Sequence, residues 1–291
     1  MSIKSKQLLD FALSLEIIPR TKLMFFQLEY YTESPDNQHS TPAKAQASAT
    51  NKFDELSLAL NKFCQSSPEM REIYLEGPIS VSLDLFCPST SPDTWLKLET
   101  FMVDFNINTP DGEWYFDRNP NPFNHEGSAS EDDEDDEGLE SSLEDDSDSS
   151  DYGRSEYDSF NRNVYERQIG NRPVSLFRTY PATDKIFPLL KAFATAITCM
   201  PVLKRACLEA VVPPSTEFEV LLLASGKADY WDHKIENLAA EEARRSPRLY
   251  FQTGSWRGEE DQDAFNEIVK IFKASRILQS SGQVLVHFFE F

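Results

Sequence analysis

The sequence predicts an α/β fold, a degenerate leucine-rich-repeat-like solenoid that is interrupted by a disordered acidic insert. One spacing, apolar-x-x-apolar-x-apolar, recurs in four segments, and an acidic residue follows each at once: 23–29, 70–76, 98–104 and 203–209. This spacing is typical of the strand of a leucine-rich repeat. Two of the segments also follow an amphipathic helix and a proline, which together make one α/β repeat unit. Stacked units of this kind bury a continuous core between neighbours.

The elements of the N-terminal half follow from the period of their apolar residues. The first strand is predicted over 23–30. A helix follows, because apolar residues fall on one helical face: Phe53, Leu56, Leu60, Phe63 and Cys64. Pro68 separates this helix from the second strand, over 70–76. The third strand is predicted over 98–105, without a clear helix before it.

The C-terminal half repeats this unit and then continues in the same style. One helical face collects five apolar residues: Ile186, Leu189, Leu190, Phe193 and Ile197. Pro201 follows, and the fourth strand covers 203–209. Two further strands are predicted, over 218–224 and 248–253. A polar, exposed helix is predicted between them, over 232–245, and an amphipathic helix follows over 264–272. The last strand, 284–291, is apolar on both faces, so we expect it to be buried on both sides and to close or cap the sheet.

The distances between the four segments are irregular. Their first residues are 47, 28 and 105 positions apart, whereas a leucine-rich repeat returns about every 20–29 residues. An ordinary α/β domain with coincidentally similar strands is therefore the alternative to a solenoid.

Two segments of low complexity divide the chain. Residues 33–51 are rich in Ser, Thr, Ala, Gln and Pro and are predicted to form a flexible loop. Residues 119–163 contain an acidic tract, with 13 Asp and Glu and no Lys or Arg between 131 and 151. Such a segment buries too little apolar surface to offset the entropy of ordering, so we expect disorder. One domain is thus predicted from two halves, 1–118 and 164–291, that flank the insert.

Composition excludes several classes of protein. The chain of 291 residues has a net charge of −21, most of it in the insert, and no dense cluster of Lys and Arg, which argues against direct binding of nucleic acid. No run of 18 apolar residues marks a membrane span, and the first residues lack the apolar core of a signal peptide. We therefore expect no membrane association and a cytoplasmic and/or nuclear location.

No recognised catalytic or cofactor motif is present. The 10 glycines form neither a dinucleotide-binding motif nor a P-loop, and no G-x-S-x-G sequence occurs. The cysteines form no C-x-x-C pair, and His233, beside Asp229 and Asp232, has no second His or Cys at ligand spacing. We therefore predict a protein that is not an enzyme and that binds no cofactor and no metal.

Two aromatic segments are candidates for an interaction surface. The first, 109–116 (T-P-D-G-E-W-Y-F), begins as a turn and ends in Trp114, Tyr115 and Phe116, and the second contains Trp256 and Arg257. Trp and Tyr often anchor protein interfaces. The alternative is that the first three cover the end of the core, while Trp256 packs under the following helix and Arg257 faces solvent.

The acidic tract also has two interpretations. It is either a solvated spacer or an attractor of basic proteins, such as histones. Five serines have an acidic residue three positions later and are candidate phosphorylation sites: Ser128, Ser130, Ser141, Ser142 and Ser155. Each phosphate would add about −1.5 to −2 charges and strengthen the attraction.

Several stretches resemble a large group of uncharacterised filamentous-fungal proteins that are often labelled F-box or F-box-like. They are 73–77 (I-Y-L-E-G), 85–88 (L-F-C-P), 95–98 (W-L-K-L), 109–116 and, near the end, 254–257 (G-S-W-R). The resemblance implies a substrate receptor of a cullin ubiquitin ligase, with a leucine-rich-repeat-like region that holds the target and a ligase adaptor as partner. Residues 1–50 show no F-box-type helical segment.

The sequence therefore predicts non-enzymatic protein recognition, as an F-box-like target-binding module. The alternative is a binder or chaperone of basic proteins in which the acidic tract is the active part. A third alternative, an enzyme of unrecognised type, requires a polar pocket with convergent titratable groups.

Overall fold

The computed structural model describes residues 3–30, 54–88, 94–118, 178–212, 216–227, 245–252, 262–279 and 285–289. They form a mixed α/β structure with a mostly parallel seven-stranded sheet. The strands are β1 (Phe25–Glu29), β2 (Glu72–Ile79), β3 (Thr100–Phe105), β4 (Phe116–Arg118), β5 (Arg178–Pro181), β6 (Arg205–Val212), β7 (Thr216–Leu223), β8 (Arg248–Gln252) and β9 (Leu285–Phe289). The helices are α1 (Ile3–Ser14), α2 (Glu55–Gln65), α3 (Thr183–Thr198), α4 (Gln262–Lys273) and α5 (Arg276–Gln279), with 3-10 turns at Leu15–Ile17 and Leu83–Phe86.

Strand order in the main sheet is β1-β2-β3-β6-β7-β8-β9. Strands β1, β2, β3 and β6 are parallel neighbours in this order. β7 runs antiparallel to both β6 and β8, and β9 lies parallel to β8 at the edge. Strands β4 and β5 form a separate antiparallel ribbon. The four parallel neighbours are the four strands that carry the repeated apolar spacing, so the repeat in the sequence corresponds to four adjacent strands.

These four strands share one register and one turn. The second apolar residues of the spacing align as Phe26, Ile73, Phe101 and Ala206, and the third as Leu28, Leu75, Val103 and Leu208. Before each strand, the first apolar residue donates its N–H to the carbonyl three residues earlier, at 3.4, 3.1, 3.2 and 3.4 Å in chain order. The carbonyls of Met24, Arg71 and Glu99 then each accept two consecutive N–H groups from the next strand. The repeated spacing therefore produces a repeated backbone geometry, although the intervening segments differ in length.

Alternation along the strands directs these aligned apolar residues toward the helices. They join one hydrophobic core with the helices, fully buried in β2, β3 and β6 and half-buried in β1. Contacts run in the order α1, α2, the Leu83–Phe86 turn, α3 and α4. At the centre, the ring of Phe193 in α3 lies 5.3 Å from that of Phe86 and 6.1 Å from those of Phe101 and Phe272. Phe193 thus joins the helices to the sheet.

Local sequence positions α2 on this core. Asp54 caps its N-terminus, because one carboxylate oxygen accepts the backbone N–H groups two and three residues later, at 3.1 and 3.2 Å. Asn61 projects from the helix, and its Nδ2 donates to the carbonyls of Leu85 and Cys87 at 2.7 and 2.9 Å. Side-chain hydrogen bonds therefore attach α2 to the next turn of the chain.

Most predicted elements are confirmed where they fall in described residues. They are the strands over 23–30, 70–76, 98–105, 203–209, 218–224 and 248–253 and the helices over 53–64, 186–197 and 264–272. The predicted loop 33–51 and the insert 119–163 lie outside the described residues, as does the predicted helix 232–245 apart from its last residue. Among the described helices, none has the length and apolarity that a membrane crossing needs.

Four features differ from expectation. α1, a helix of 12 residues, lies within 1–50, for which the only expectation about helices was the absence of an F-box-type segment. The C-terminal part does not continue the parallel pattern, because three residues separate β6 from β7 and a parallel crossover needs about a dozen. β9 lies at the sheet edge with residues 285–287 half-buried, so it is not buried on both sides. The ribbon of β4 and β5 was not predicted, since strands of three and four residues carry no readable period.

Thiol labelling tests this placement of the core. Cys64 and Cys207 are buried, and burial raises the pKa of the Cys64 thiol to about 12, whereas Cys87 is exposed. Because the thiolate is the reactive form, we expect iodoacetamide to modify Cys87 in the native protein and Cys64 and Cys207 only after unfolding in urea. Peptide mass spectrometry reads the sites directly. Native labelling of Cys64 that is as fast as that of Cys87 would contradict the structure.

Candidate functional site

The parallel strands have a second face, directed away from the helices, and over β1, β2 and β3 this face is the candidate site. We call it the open face. Its side chains alternate with the core positions and are exposed or half-buried: Phe25, Gln27, Glu29, Glu72, Tyr74, Glu76, Thr100, Met102 and Asp104. Since the three strands share one register, these residues form three rows across the strands, from the amino ends to the carboxyl ends.

The open face carries aromatic surface, from Phe25 in its amino-end row and from Tyr74 in its middle row. The Phe25 ring is 5.6 Å from the Tyr74 ring at an interplanar angle of 38°, and Phe25 keeps 49% of its surface exposed. The hydroxyl of Tyr74 donates to Glu72 Oε2 at 3.1 Å. Partial burial raises the pKa of Tyr74, and the neighbouring Glu72 carboxylate raises it further. Tyr74 therefore remains a neutral side chain with an apolar ring available for contact.

The carboxyl ends of the strands carry a row of acidic residues. Glu29, Glu76 and Asp104 lie toward the carboxyl ends of β1, β2 and β3, and Glu209 and Glu219, paired across β6 and β7, continue the row. These are the acidic residues that follow the repeated spacing, with Glu219 added from the antiparallel strand. The common register of the strands explains why a recurring acid in the sequence becomes one acidic edge.

A bulge shapes this edge between β2 and β3. The register shifts between Leu75 and Ile79, and Gly77 takes a φ of 80°, a conformation that glycine adopts without steric cost. The Gly77 N–H donates to Asp104 Oδ2 at 3.2 Å. Burial raises the pKa of Asp104, the Gly77 N–H opposes that shift, and the Glu76 charge adds to it.

The amino ends of the same strands are different, because their charges are paired. Glu99 contacts Lys204 and, at 3.3 Å, Arg71, and Glu69 contacts Lys97 at 2.5 Å. The hydrogen bond from Lys204 lowers the pKa of Glu99. Acidic residues therefore alternate with Lys and Arg at the amino ends, whereas acidic residues follow one another along the row at the carboxyl ends.

Farther along the sheet, the same face is closed. Cys207, Leu221, Leu223 and Tyr250 form a buried cluster, with Met102 at its margin. The Cys207 thiol donates to Glu219 Oε1 at 3.4 Å, and with Glu209 it forms the one group in the described part of the chain whose ligand atoms lie close enough for a metal, within 4.8 Å. Burial raises the pKa of Cys207 well above its usual value, and the two carboxylates add to this. Without a cation the group is a protonated thiol that is hydrogen-bonded to Glu219, and zinc, which binds the thiolate, would have to displace that proton.

The first predicted interaction segment lies in the core. Trp114, Tyr115 and Phe116 keep 8%, 4% and 1% of their surfaces exposed. The Tyr115 hydroxyl donates to the carbonyl of Val81 at 2.7 Å, and the Phe116 ring lies 5.7 Å from that of Phe218. The prediction of an exposed interaction surface is therefore corrected, and the alternative, that these aromatics cover the end of the core, is what the structure has.

The same segment forms the base of the long insert. The Thr109 hydroxyl accepts the Glu113 N–H at 2.9 Å, and Gly112, with a φ of 83°, completes the turn. β4 then pairs with β5, on the far side of the insert, and the Arg178 guanidinium stacks 4.8 Å from the Trp114 ring centroid. The aromatic residues thus hold the two ends of the insert together.

The other candidate residues lie outside the described part of the chain. They are Trp256 and Arg257 and the five serines: Ser128, Ser130, Ser141, Ser142 and Ser155. Sequence reasoning missed the open-face residues Phe25, Tyr74 and Met102. The signal was present, because these are the positions that alternate with the repeated apolar ones.

Comparison with protein-family models, with curated proteins and with solved structures finds no match to this chain. The resemblance to F-box-like proteins stays a prediction that rests on the stretches of sequence named above.

Proposed function

We propose that this chain is a non-enzymatic protein-recognition module of the F-box-like, leucine-rich-repeat-like type, and that it holds its target on the open face. The support is the repeat of turn and register in four adjacent parallel strands, with helices packed on their other face. Repeat proteins of this build use the exposed face of their strands for binding. A parallel sheet normally has both faces covered, so a stretch whose described side chains are exposed or half-buried, with Tyr74 in its middle row and Phe25 beside it on the edge strand, favours a binding role.

The proposal includes a ligase adaptor as a second partner, in the cytoplasm, the nucleus or both. Its support is the resemblance, together with apolar side chains that are exposed at the end of the molecule next to α1. Leu13, Ile17 and Ile18 are 56%, 82% and 37% exposed. Exposed apolar residues that lie together are typical of protein contacts.

Affinity purification of the tagged chain from its native host, with mass spectrometry, tests the proposal. We expect target proteins, the adaptor and a cullin to be recovered. The double variant Phe25→Ala/Tyr74→Ala should lose the targets and keep the adaptor, because only the open face is changed. Leu83→Ala, at a residue that is 44% exposed in a 3-10 turn on the helix side, is the matched control. Equal recovery of every protein by the double variant would remove the open face from the proposal.

The acidic tract supports a second candidate function, a binder or chaperone of basic proteins such as histones. The tract has 13 acidic residues and no Lys or Arg, a charge density that attracts basic partners. In this case partner recovery would depend on the tract and not on the open face.

Deletion of residues 128–151 separates the two functions. We expect the free energy of unfolding in urea to change by less than about 1 kcal/mol, because halving a loop changes its closure entropy by only about 0.6 kcal/mol and the β4–β5 ribbon still joins its ends. We also expect target recovery to persist. Loss of basic partners alone would assign that activity to the tract, and loss of all partners would overturn the open-face proposal.

A further inference from the structure

The open face has a chemistry that selects among protein partners. Tyr74 in its middle row forms an aromatic pair with Phe25 of the amino-end row, and its carboxyl end offers carboxylates on neighbouring strands. Arg205, a cation of the adjoining strand β6, aligns with Thr100 in the row at the amino end. Glu72 lies in that same row, so the amino end carries both signs of charge, whereas the row at the carboxyl end is acidic and lies next to the row of Tyr74.

Glu76 and Asp104 are the carboxylates that carry this inference. Each accepts a hydrogen bond from a neutral donor: Gln27 Nε2 donates to Glu76 Oε2 at 2.7 Å, and the Gly77 N–H donates to Asp104 Oδ2 at 3.2 Å. In the described part of the chain, no Lys or Arg forms an ion pair with either, in contrast to Glu99 and Glu69 at the amino ends. The two charges are close enough that Glu76 raises the pKa of Asp104. A cation placed between them would relieve that repulsion.

The shape of the face favours an extended chain. The face is the surface of a sheet, and its neighbouring strands are about 4.8 Å apart, so β1 to β3 span about 10 Å. Tyr74 and Glu76 are two residues apart on one strand, which separates the row of Tyr74 from the acidic row by about 6.6 Å, and Phe25 lies one row farther from the acids. In an extended peptide, residues i and i+2 lie on the same side with the same separation. One such peptide can contact both rows at once.

We propose that the partner segment held on the open face is an extended, basic stretch of protein, in which a Lys or Arg lies two residues from an aromatic or large aliphatic residue. The basic side chain is placed between Glu76 and Asp104, and the apolar side chain packs on Phe25 and Tyr74. Nucleic acid does not fit this surface, because the carboxylates repel phosphate. This inference rests on the proposed function and adds the chemistry of the target.

Selection from a random 12-residue peptide library on phage, with the full chain as bait, tests the proposal. The strongest selected peptide and its version with every Lys and Arg changed to Gln are then measured by fluorescence anisotropy. The proteins are the wild type, Glu76→Gln/Asp104→Asn, Phe25→Ala/Tyr74→Ala and the control Leu83→Ala. Urea unfolding of each variant shows that the fold is retained.

We expect selected peptides to share a basic residue two positions from an apolar one. The affinity for the selected peptide should fall at least tenfold in Glu76→Gln/Asp104→Asn. The peptide in which Gln replaces every Lys and Arg should lose the same factor against the wild type, and Leu83→Ala should bind the selected peptide as tightly as the wild type does. Salt should weaken binding to the wild type more than to the charge-free variant, because it screens the ion pairs.

The outcomes separate the inference from the function on which it rests. The selected peptides could lack basic residues, and their binding could be lost in Phe25→Ala/Tyr74→Ala but retained in Glu76→Gln/Asp104→Asn. That result would overturn the inference and leave the open face as the binding surface. Basic peptides that bind all variants equally are held by the acidic tract, and they would overturn both. Failure to select any peptide would also overturn the inference.

Discussion

Replacement of Phe193 by alanine is expected to lower the free energy of unfolding by about 3–5 kcal/mol, the range for removal of a large buried aromatic side chain. Phe193 has no exposed surface, and its ring contacts aromatic rings from the 3-10 turn, from β3 and from α4. Alanine would leave a cavity where three elements meet, and rings fixed in separate elements cannot all move to fill it. Urea unfolding followed by far-UV circular dichroism measures the change.

Two further variants support this measurement. Phe193→Leu keeps most of the volume and should cost about 1.5 kcal/mol or less, so it stays folded if the alanine variant does not. Phe25→Ala removes the same side chain from a position that is 49% exposed and should change stability by about 0.5 kcal/mol. A Phe193→Ala protein as stable as Phe25→Ala would contradict the arrangement of the core.

Trp114→Ala is expected to cost about 3–5 kcal/mol for the same physical reason. The indole is 8% exposed, and its ring supports Arg178 across the base of the insert. Loss of the ring removes core contacts and also weakens the link between β4 and β5. We therefore expect the full-length variant to unfold at a lower urea concentration than the wild type.

Arg178→Ala is the matched control for the stacking contribution alone. It removes the cation–π contact, worth about 0.5–2 kcal/mol, together with a long hydrogen bond from Arg178 to the carbonyl of Phe116 at 3.4 Å and an ion pair at 3.9 Å with the exposed carboxylate of Asp117, which contributes little. The loss should therefore be smaller than that of Trp114→Ala. If Trp114→Ala were as stable as the wild type, the aromatic segment would not belong to the core, and its role as an interaction surface would have to be reconsidered.

The open face could be predicted only in part from the sequence. The repeated acids Glu29, Glu76, Asp104 and Glu209 were visible in the chain. Their meeting at one edge required a common register, which depends on hydrogen bonds between segments up to 105 residues apart. Phe25 and Tyr74 are ordinary strand residues in sequence and become a surface pair only when β1 pairs with β2.

Local periodicity by itself determined the α/β class, the two helix–proline–strand units and the four repeat strands, because each follows from apolar spacing within about a dozen residues. Tertiary structure alone decided three other matters. It buried Trp114, Tyr115 and Phe116, for which the sequence left both a surface and a core position open, since exposure depends on what packs against a ring. It turned β7 antiparallel to β6 and brought β4 and β5 together across the insert. Contacts between distant segments set these features, and no local pattern encodes them.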